Sequence, residues 1–254
     1  MTLVMRHRLP TMTANGPLRL DVALVTAGLV STRHRAQLAI SSGRVRVNGV
    51  EATKSAQPVG PDDQIELEDD PWVSRAAHKL LGALDDAHIV VPSRCLDAGA
   101  STGGFTQVLL SRGAQRVYAV DVGHGQLAGE VAADARVTSR EGLNVKDLTL
   151  ADLDDEPVSL VVADLSFISL TQVLPVLLPL VLGDALLLVK PQFEVGRGKL
   201  GNSGVVRDLR LRTQAVDGVV ASAASLGWRE AWRGASHLPG VNGNVEYFIH
   251  MQPA

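Results

Sequence analysis

Residues 94–105 read RCLDAGASTGGF, and this stretch decides the fold. Cys95 and Leu96 open an apolar strand. Gly99, Gly103 and Gly104 then let the chain turn tightly and bring its backbone close to a ligand, and a helix starts immediately after them. Further strands follow at RVYAVDV (116–122), VTSREG (137–142), VSLVVADLS (158–166) and ALLLVKP (185–191), with helical stretches between most of them. A long helix from about residue 207 to 226 leads to WREAWRGAS (228–236) and NVEYFIHMQ (244–252). Such alternation predicts an α/β, Rossmann-like, mostly parallel seven-stranded sheet with helices on both faces. The last two segments have no helix between them, so they pair antiparallel and the final strand runs against the rest.

The turn is not the G-x-G-x-x-G of dinucleotide enzymes. Asp97 lies two residues before Gly99, where a pyrophosphate would meet like charge but an ammonium group, such as that of a methionine moiety, would be welcome. Asp121, ending the second strand, can accept from ribose hydroxyls, which alone would suit NAD or S-adenosylmethionine equally. Together the two acids and the turn favour S-adenosylmethionine. Its expected contacts are Asp97, Gly99, Ser101, Thr102, Gly103, Gly104 and Phe105 at the first strand end. Asp121 and Val122 serve at the second, and Asn144, Asp164, Leu165 and Phe167 at the later ones. No metal site is expected.

A methyl donor with a sulfonium leaving group leaves the enzyme to supply an acceptor, alignment and a base. Asp164 and Lys190 end strands at the ligand edge. Glu246 precedes a reversed strand and therefore reaches the same edge, and Lys79, in AHKL, lies on a helix before the sheet. Two lysines, an aspartate and a glutamate suit activation of a ribose 2′-hydroxyl, a very weak acid. A lysine could serve as base if its pKa fell; Asp164 could orient Lys190, while Lys79 and Glu246 hold the ribose and neighbouring groups.

Upstream lies a smaller unit. Residues 1–17 read as a disordered lead, with Met1 or Met12 as the start, and residues 18–68 as an α+β module. Leu20, Ala23, Leu24 and Ala27 follow helical spacing and Gly28 stops that helix. Ser31 or Thr32 caps a second helix ending at Gly43. Val45 and Val47 alternate with Arg44 and Arg46 ahead of the hairpin turn Asn48-Gly49. Arg19, Arg33, Arg35, Gln37, Arg44 and Arg46 form a candidate phosphate-binding face. Residues 69–75, after an acidic run, read as a linker to a domain over 76–254.

The net charge is −3, so RNA binding must be local, and aromatic residues, at 4%, are too few for a broad stacking surface. The single cysteine, Cys95, excludes an internal disulfide and a cysteine zinc site, and it fits a cytoplasmic, reducing location. Residues 167–189 are long and apolar enough to imitate a membrane span. Pro175, Pro179 and the pair Gly183-Asp184 instead divide them into a helix and a strand, LLLV, of a soluble core.

The motifs SRAAHKL, CLDAGASTGGFT, DVGHGQL, ADLSFISL, LVKPQFEVG, GVV and GNVEY resemble the TlyA (haemolysin A) family of ribosomal RNA 2′-O-methyltransferases. Members carry an FtsJ-like class I catalytic domain behind an S4-type RNA-binding domain. RLDVALVTAGLVSTRHRAQLAISSGRVRVNG resembles that S4 domain. The family's K-D-K-E set falls on Lys79, Asp164, Lys190 and Glu246. The resemblance implies that Lys190 is the base and that the acceptor is a cytidine ribose in rRNA, 23S and possibly 16S, on ribosomal subunits. Two positions depart from the family pattern: the linker reads DPWV in place of RAWV, and Lys146 stands where arginine is common. Other readings are a methyltransferase of protein or small molecules, a non-catalytic RNA-binding assembly factor, and a membrane-active haemolysin. For the last, no signal peptide or span is expected, and so no stable membrane association.

Overall fold

The chain divides into two units, Met1–Arg75 and Ala76–Ala254. The computed structural model describes residues 4–8, 17–30, 32–41, 43–68, 70–196, 204–240 and 243–254.

In the first unit, β1 (Val4–Arg8), β2 (Leu18–Arg19), α1 (Leu20–Thr26), α2 (Arg33–Ser41), β3 (Val45–Val47), β4 (Val50–Glu51), β5 (Pro58–Val59) and β6 (Gln64–Glu68) follow one another. Gly28 and Gly43, at φ +70° and +74°, end the two helices, and the Thr32 hydroxyl accepts from the Arg35 amide at 3.1 Å as the cap of α2. Asn48 and Gly49, at φ 52° and +79°, form the hairpin turn joining β3 to β4. Leu20, Leu24, Ile40, Val45 and Ile65 are buried together as the core. The lead is not wholly without structure: Val4–Arg8 pair antiparallel with β6, giving the order β1-β6-β3-β4. An open strand edge is a row of unmet donors and acceptors, and this pairing satisfies one side of β6. The rest of the expected lead, apart from Pro17, lies outside the described residues.

The second unit contains α3 (Ala76–Asp86), β7 (Arg94–Ala98), α4 (Gly104–Ser111), β8 (Arg116–Asp121), α5 (Gly129–Ala132), β9 (Val137–Glu141), β10 (Val158–Ala163), α6 (Leu174–Leu177), β11 (Val181–Val189), α7 (Pro191–Glu194), α8 (Leu209–Ala224), β12 (Trp228–Ala235) and β13 (Tyr247–Pro253). The sheet order is β12-β13-β11-β10-β7-β8-β9. Only β13 runs against the others, pairing antiparallel with both β11 and β12. β7 and β10 lie centrally and are buried on both faces, which is why CLDA and LVVA read as unbroken apolar runs around one acid.

One expectation is corrected. β11 runs straight through Gly183 and Asp184, where the sequence reading places a break. Gly183 sits so close to the Ser159 carbonyl that a Cβ there would collide with it, and Asp184 receives His250 Nε2 at 2.7 Å and Gln252 Nε2 at 2.8 Å from β13. Both residues therefore serve sheet packing instead of ending the strand. The helical part before them is short, α6 flanked by 3₁₀ turns, with Pro175 and Pro179 in opening turns where a missing N–H costs nothing. Among the described residues no helix is long and apolar enough to cross a membrane.

Candidate active site and basic face

From β7 the chain passes to β8 and β9 on one side, and later to β10 and β11 on the other. The crevice where the order reverses opens at the C-terminal ends of β7 and β10, the place where ligands bind in such sheets. There the Asp164 amide donates to the Ala98 carbonyl at 3.0 Å. Gly99 has φ +90°, and a Cβ on it would lie 2.7 Å from the Asp164 carbonyl, so only glycine permits this approach.

Asp97 is fully buried. The Thr106 hydroxyl donates to its Oδ2 at 2.6 Å, while Oδ1 is buried without a partner. Burial pushes its carboxyl up to about 7; the Thr106 bond opposes this, and the charges of Asp164 and Asp121 add to it. A buried carboxylate with an unused oxygen complements a cationic donor group and repels an anion. Asp121 instead accepts from two backbone amides, Ser101 at 2.8 Å and Gly123 at 2.7 Å, and so ties the two strand ends together. The Thr102 carbonyl accepts from Ala128, and Gly103, at φ +94°, fits beneath Leu127 and Val131 at the start of α4. Gly104 is buried, as is Phe105, whose ring packs 6.2 Å from that of Phe248 in the core. Val122 is exposed, Leu165 is half-buried against the core, and Asn144 caps a 3₁₀ turn by accepting from the Lys146 amide at 3.0 Å. Lys146 reaches Gln172 at 2.8 Å.

Glu141, at the end of β9, is missed by the sequence reading. Its carboxylate gathers the amides of Gly125, Gln126 and Leu127 at 2.9, 2.8 and 3.1 Å, fixing the loop after Asp121. These amides hold its carboxyl below the usual range. The available signal is a glycine-rich loop, VGHGQL, whose amides need an acceptor from a neighbouring strand end.

The four ionisable residues resolve into two pairs. Lys190 Nζ lies 2.6 Å from Asp164 Oδ1 and donates to Ser166 Oγ at 2.7 Å, a contact the sequence reading does not include. Lys79 Nζ donates to Glu246 Oε2 at 2.6 Å, with both side chains nearly sealed from solvent. The pairing Val189↔Tyr247 explains why Lys190 and Glu246 leave the sheet at one edge, each one residue beyond that register. Phe167, in the loop that leaves β10, has a left-handed conformation, φ 66°, and is 91% exposed, its ring 5.3 Å from that of Phe193. A non-glycine residue in that region carries strain, of the kind found at ligand clamps.

In the first unit the basic residues divide. Arg19, Arg33 and Gln37 converge on buried Asp21, at 3.0 and 3.1 Å for Arg19 and 3.0 Å for each of the others. Arg35 and Arg44 border a cavity of about 520 Å³ together with Trp72 and Arg75, and Arg44 pairs with Asp70 at 3.4 Å. Arg46 is not on the helical side: Val45 and Val47 turn inward, and Arg46 faces the other way, in register with Glu51 and Glu66. The expected single face of six residues is therefore a smaller convergence around Asp21, a neighbouring pair, and one residue apart.

A family model for FtsJ-like methyltransferases matches residues 72–252, and one for the S4 domain matches residues 18–65. The chain is 49% identical to the 16S/23S rRNA (cytidine-2′-O)-methyltransferase TlyA of Mycobacterium tuberculosis over 92% of this chain and 89% of that protein. It is 40% identical to Hemolysin A of Brachyspira hyodysenteriae, over 92% and 99% of the two chains. A solved structure of a Streptococcus thermophilus protein designated a hemolysin superposes with TM-score 0.74 at 35% identity, covering 95% of this chain and 90% of that one.

Proposed function

The chain belongs to the TlyA family of FtsJ-like methyltransferases, and from that premise we propose that it methylates the 2′-hydroxyl of a cytidine in ribosomal RNA, using S-adenosylmethionine. The observation that carries this reading is Lys190, held by Asp164 and Ser166 at the switch-point edge; the unmatched oxygen of Asp97, near the end of β7, supports it. The residues present fit the methyl donor: Asp97 Oδ1 takes its ammonium group, the Gly99 turn gives backbone room, and the Asp121 loop faces its ribose.

When bound, S-adenosylmethionine supplies the methyl carbon and retains the electron pair of the breaking carbon–sulfur bond. Asp164 and Ser166 aim the Lys190 amine at the acceptor. That amine is the group proposed to take the 2′-hydroxyl proton as the oxygen forms its bond to carbon. Lys79 and Glu246 form a fixed donor–acceptor pair for the groups around that hydroxyl. Phe167 offers a face against which the cytosine can stack, fixing the ribose below it. The basic residues around Asp21 and those at Arg35 and Arg44 give the S4 unit its hold on phosphates of the ribosomal subunit. This is the work of a cytoplasmic enzyme.

The test is transfer of labelled methyl to ribosomal subunits, with 2′-O-methylation mapped along the rRNA. Lys190→Ala should lower kcat by about 10²–10⁴-fold, the contribution of a positioned general base, and leave cofactor affinity unchanged. Full transfer by that variant would remove Lys190 from the role of base. Transfer that survives RNase treatment of the acceptor would point to a protein substrate, and RNA binding without any transfer to an assembly factor.

A further inference from the structure

The mechanism above leaves Glu194 unused, yet this side chain joins the two loops that carry the reacting pair. It ends α7, which begins immediately after Lys190. Its Oε1 accepts from the Leu170 amide at 2.8 Å and its Oε2 from the Ser169 hydroxyl at 2.5 Å. Ser169 and Leu170 close the loop that leaves β10 at Asp164, the loop that also carries Ser166 and Phe167. The two loops are thus tied three times: by Lys190 with Asp164 and Ser166, by the Phe167–Phe193 ring contact, and by Glu194 with Ser169 and Leu170. Burial raises the Glu194 carboxyl above its ordinary value, and the Ser169 and Leu170 bonds oppose that rise. A carboxylate kept in such surroundings marks a site where its two acceptor oxygens are needed.

We propose that Glu194 is a positioning residue, a strap that sets the spacing of Lys190 from Asp164 and the tilt of Phe167 against Phe193, and so governs kcat without touching substrate. The proposal rests on the methyltransferase reading of this site. Both of its partners donate, so alanine removes both bonds and strands the Leu170 amide. Glutamine keeps the amide bond through its carbonyl oxygen and can donate its own N–H to the Ser169 hydroxyl, which still has Thr171 Oγ1 at 2.7 Å.

The experiment compares the full-length wild type with Glu194→Ala, Glu194→Gln and Ser169→Ala. The readouts are cofactor Kd, kcat and KM for ribosomal subunits, and kcat against pH. A misplacement of about 1 Å can cost about 100-fold in rate, so Glu194→Ala should lose between about 10- and 100-fold in kcat at unchanged cofactor Kd. The pH at which kcat rises should also move, because Lys190 would no longer be held against Asp164. Glu194→Gln should recover most of the rate. A folded Glu194→Ala protein with wild-type kcat and pH profile overturns the proposal, as does a loss of kcat with an unmoved profile that glutamine does not rescue. Should Glu194→Ala not fold, Ser169→Ala decides: a reduced kcat with a shifted profile supports the strap, and wild-type behaviour overturns it. Normal transfer by the wild type with no effect of either substitution sinks the strap alone, whereas no transfer by the wild type sinks the methyltransferase reading and the strap with it.

Discussion

Asp21 and Asp97 are both closed to solvent, one in each unit, but Asp97 lies the deeper of the two, and their chemistry is opposite. Asp21 receives Arg19, Arg33 and Gln37, and with these donors around it, the Arg19 bond foremost, its carboxyl is held far below the usual carboxylate range. Asp97 receives one hydroxyl from Thr106, keeps an oxygen with no partner, and is pushed up to about 7. Depth of burial and the number and charge of its donors together decide whether an acid is charged: burial leads at Asp97, and the arginine and glutamine donors lead at Asp21. Asp21 is a finished structural centre that orients two arginines. Asp97 keeps an oxygen without a partner, which on the proposed reading a cationic ligand group would meet.

The largest effect expected from this contrast is at Asp97. Asp97→Asn should weaken S-adenosylmethionine binding by about 100-fold, measured by calorimetry, because truncating one partner of a buried charge pair leaves the other unmatched. The ligand-free protein should remain at least as stable, since the amide can still accept from Thr106 and no longer has a charge to bury. A variant that loses binding and stability together would make Asp97 a structural acid like Asp21. The reverse outcome is expected at Asp21. There Asp21→Asn should raise amide hydrogen exchange across α1 and α2 by about tenfold in the full chain while methyl-donor affinity stays put. The smallest effect is in pH. With its folded value raised, Asp97 binds a proton in the native state that the unfolded chain has released. Its contribution to ligand-free stability therefore declines as pH rises from the ordinary carboxylate value toward about 7. Cofactor affinity should run the other way, falling by up to about tenfold per unit below that value. Asp21 has a lowered folded value, so its contribution is present above the ordinary carboxylate pKa and is lost as pH falls below it. Thermal unfolding across pH 3–8 for wild type and Asp97→Asn separates the two trends.

The comparison also shows what sequence can and cannot carry. The β7 turn, the alternation of strands and helices and the reversed final strand are local patterns, and the sheet is legible from them. Asp97 is legible because its offending charge sits two residues from a glycine turn, and Lys190 and Glu246 because strand direction places them at one edge. Asp21 reads only as a counter-charge in a basic stretch. Its role depends on Gln37, 16 positions away, turning back to it across a helix pair. Arg46 is grouped with the other arginines in sequence yet belongs to the opposite face, a distinction set by strand register with Glu51 and Glu66. Gly183 and Asp184 imitate a break because their partners, Ser159, His250 and Gln252, lie on other strands. Glu141 and Glu194 are ordinary acids until distant amides are brought to them.

The clasp of Glu141 on Gly125, Gln126 and Leu127 has an entropic consequence. Fixing a residue's backbone costs about 1–2 kcal/mol at room temperature, and a loop ordered only by its ligand takes that cost out of the affinity. Here a carboxylate from the edge strand has ordered the loop during folding. On the proposed reading, a nucleoside arriving beside Asp121 would meet a surface already in place, and its binding free energy would be left for discrimination instead of for assembling the site.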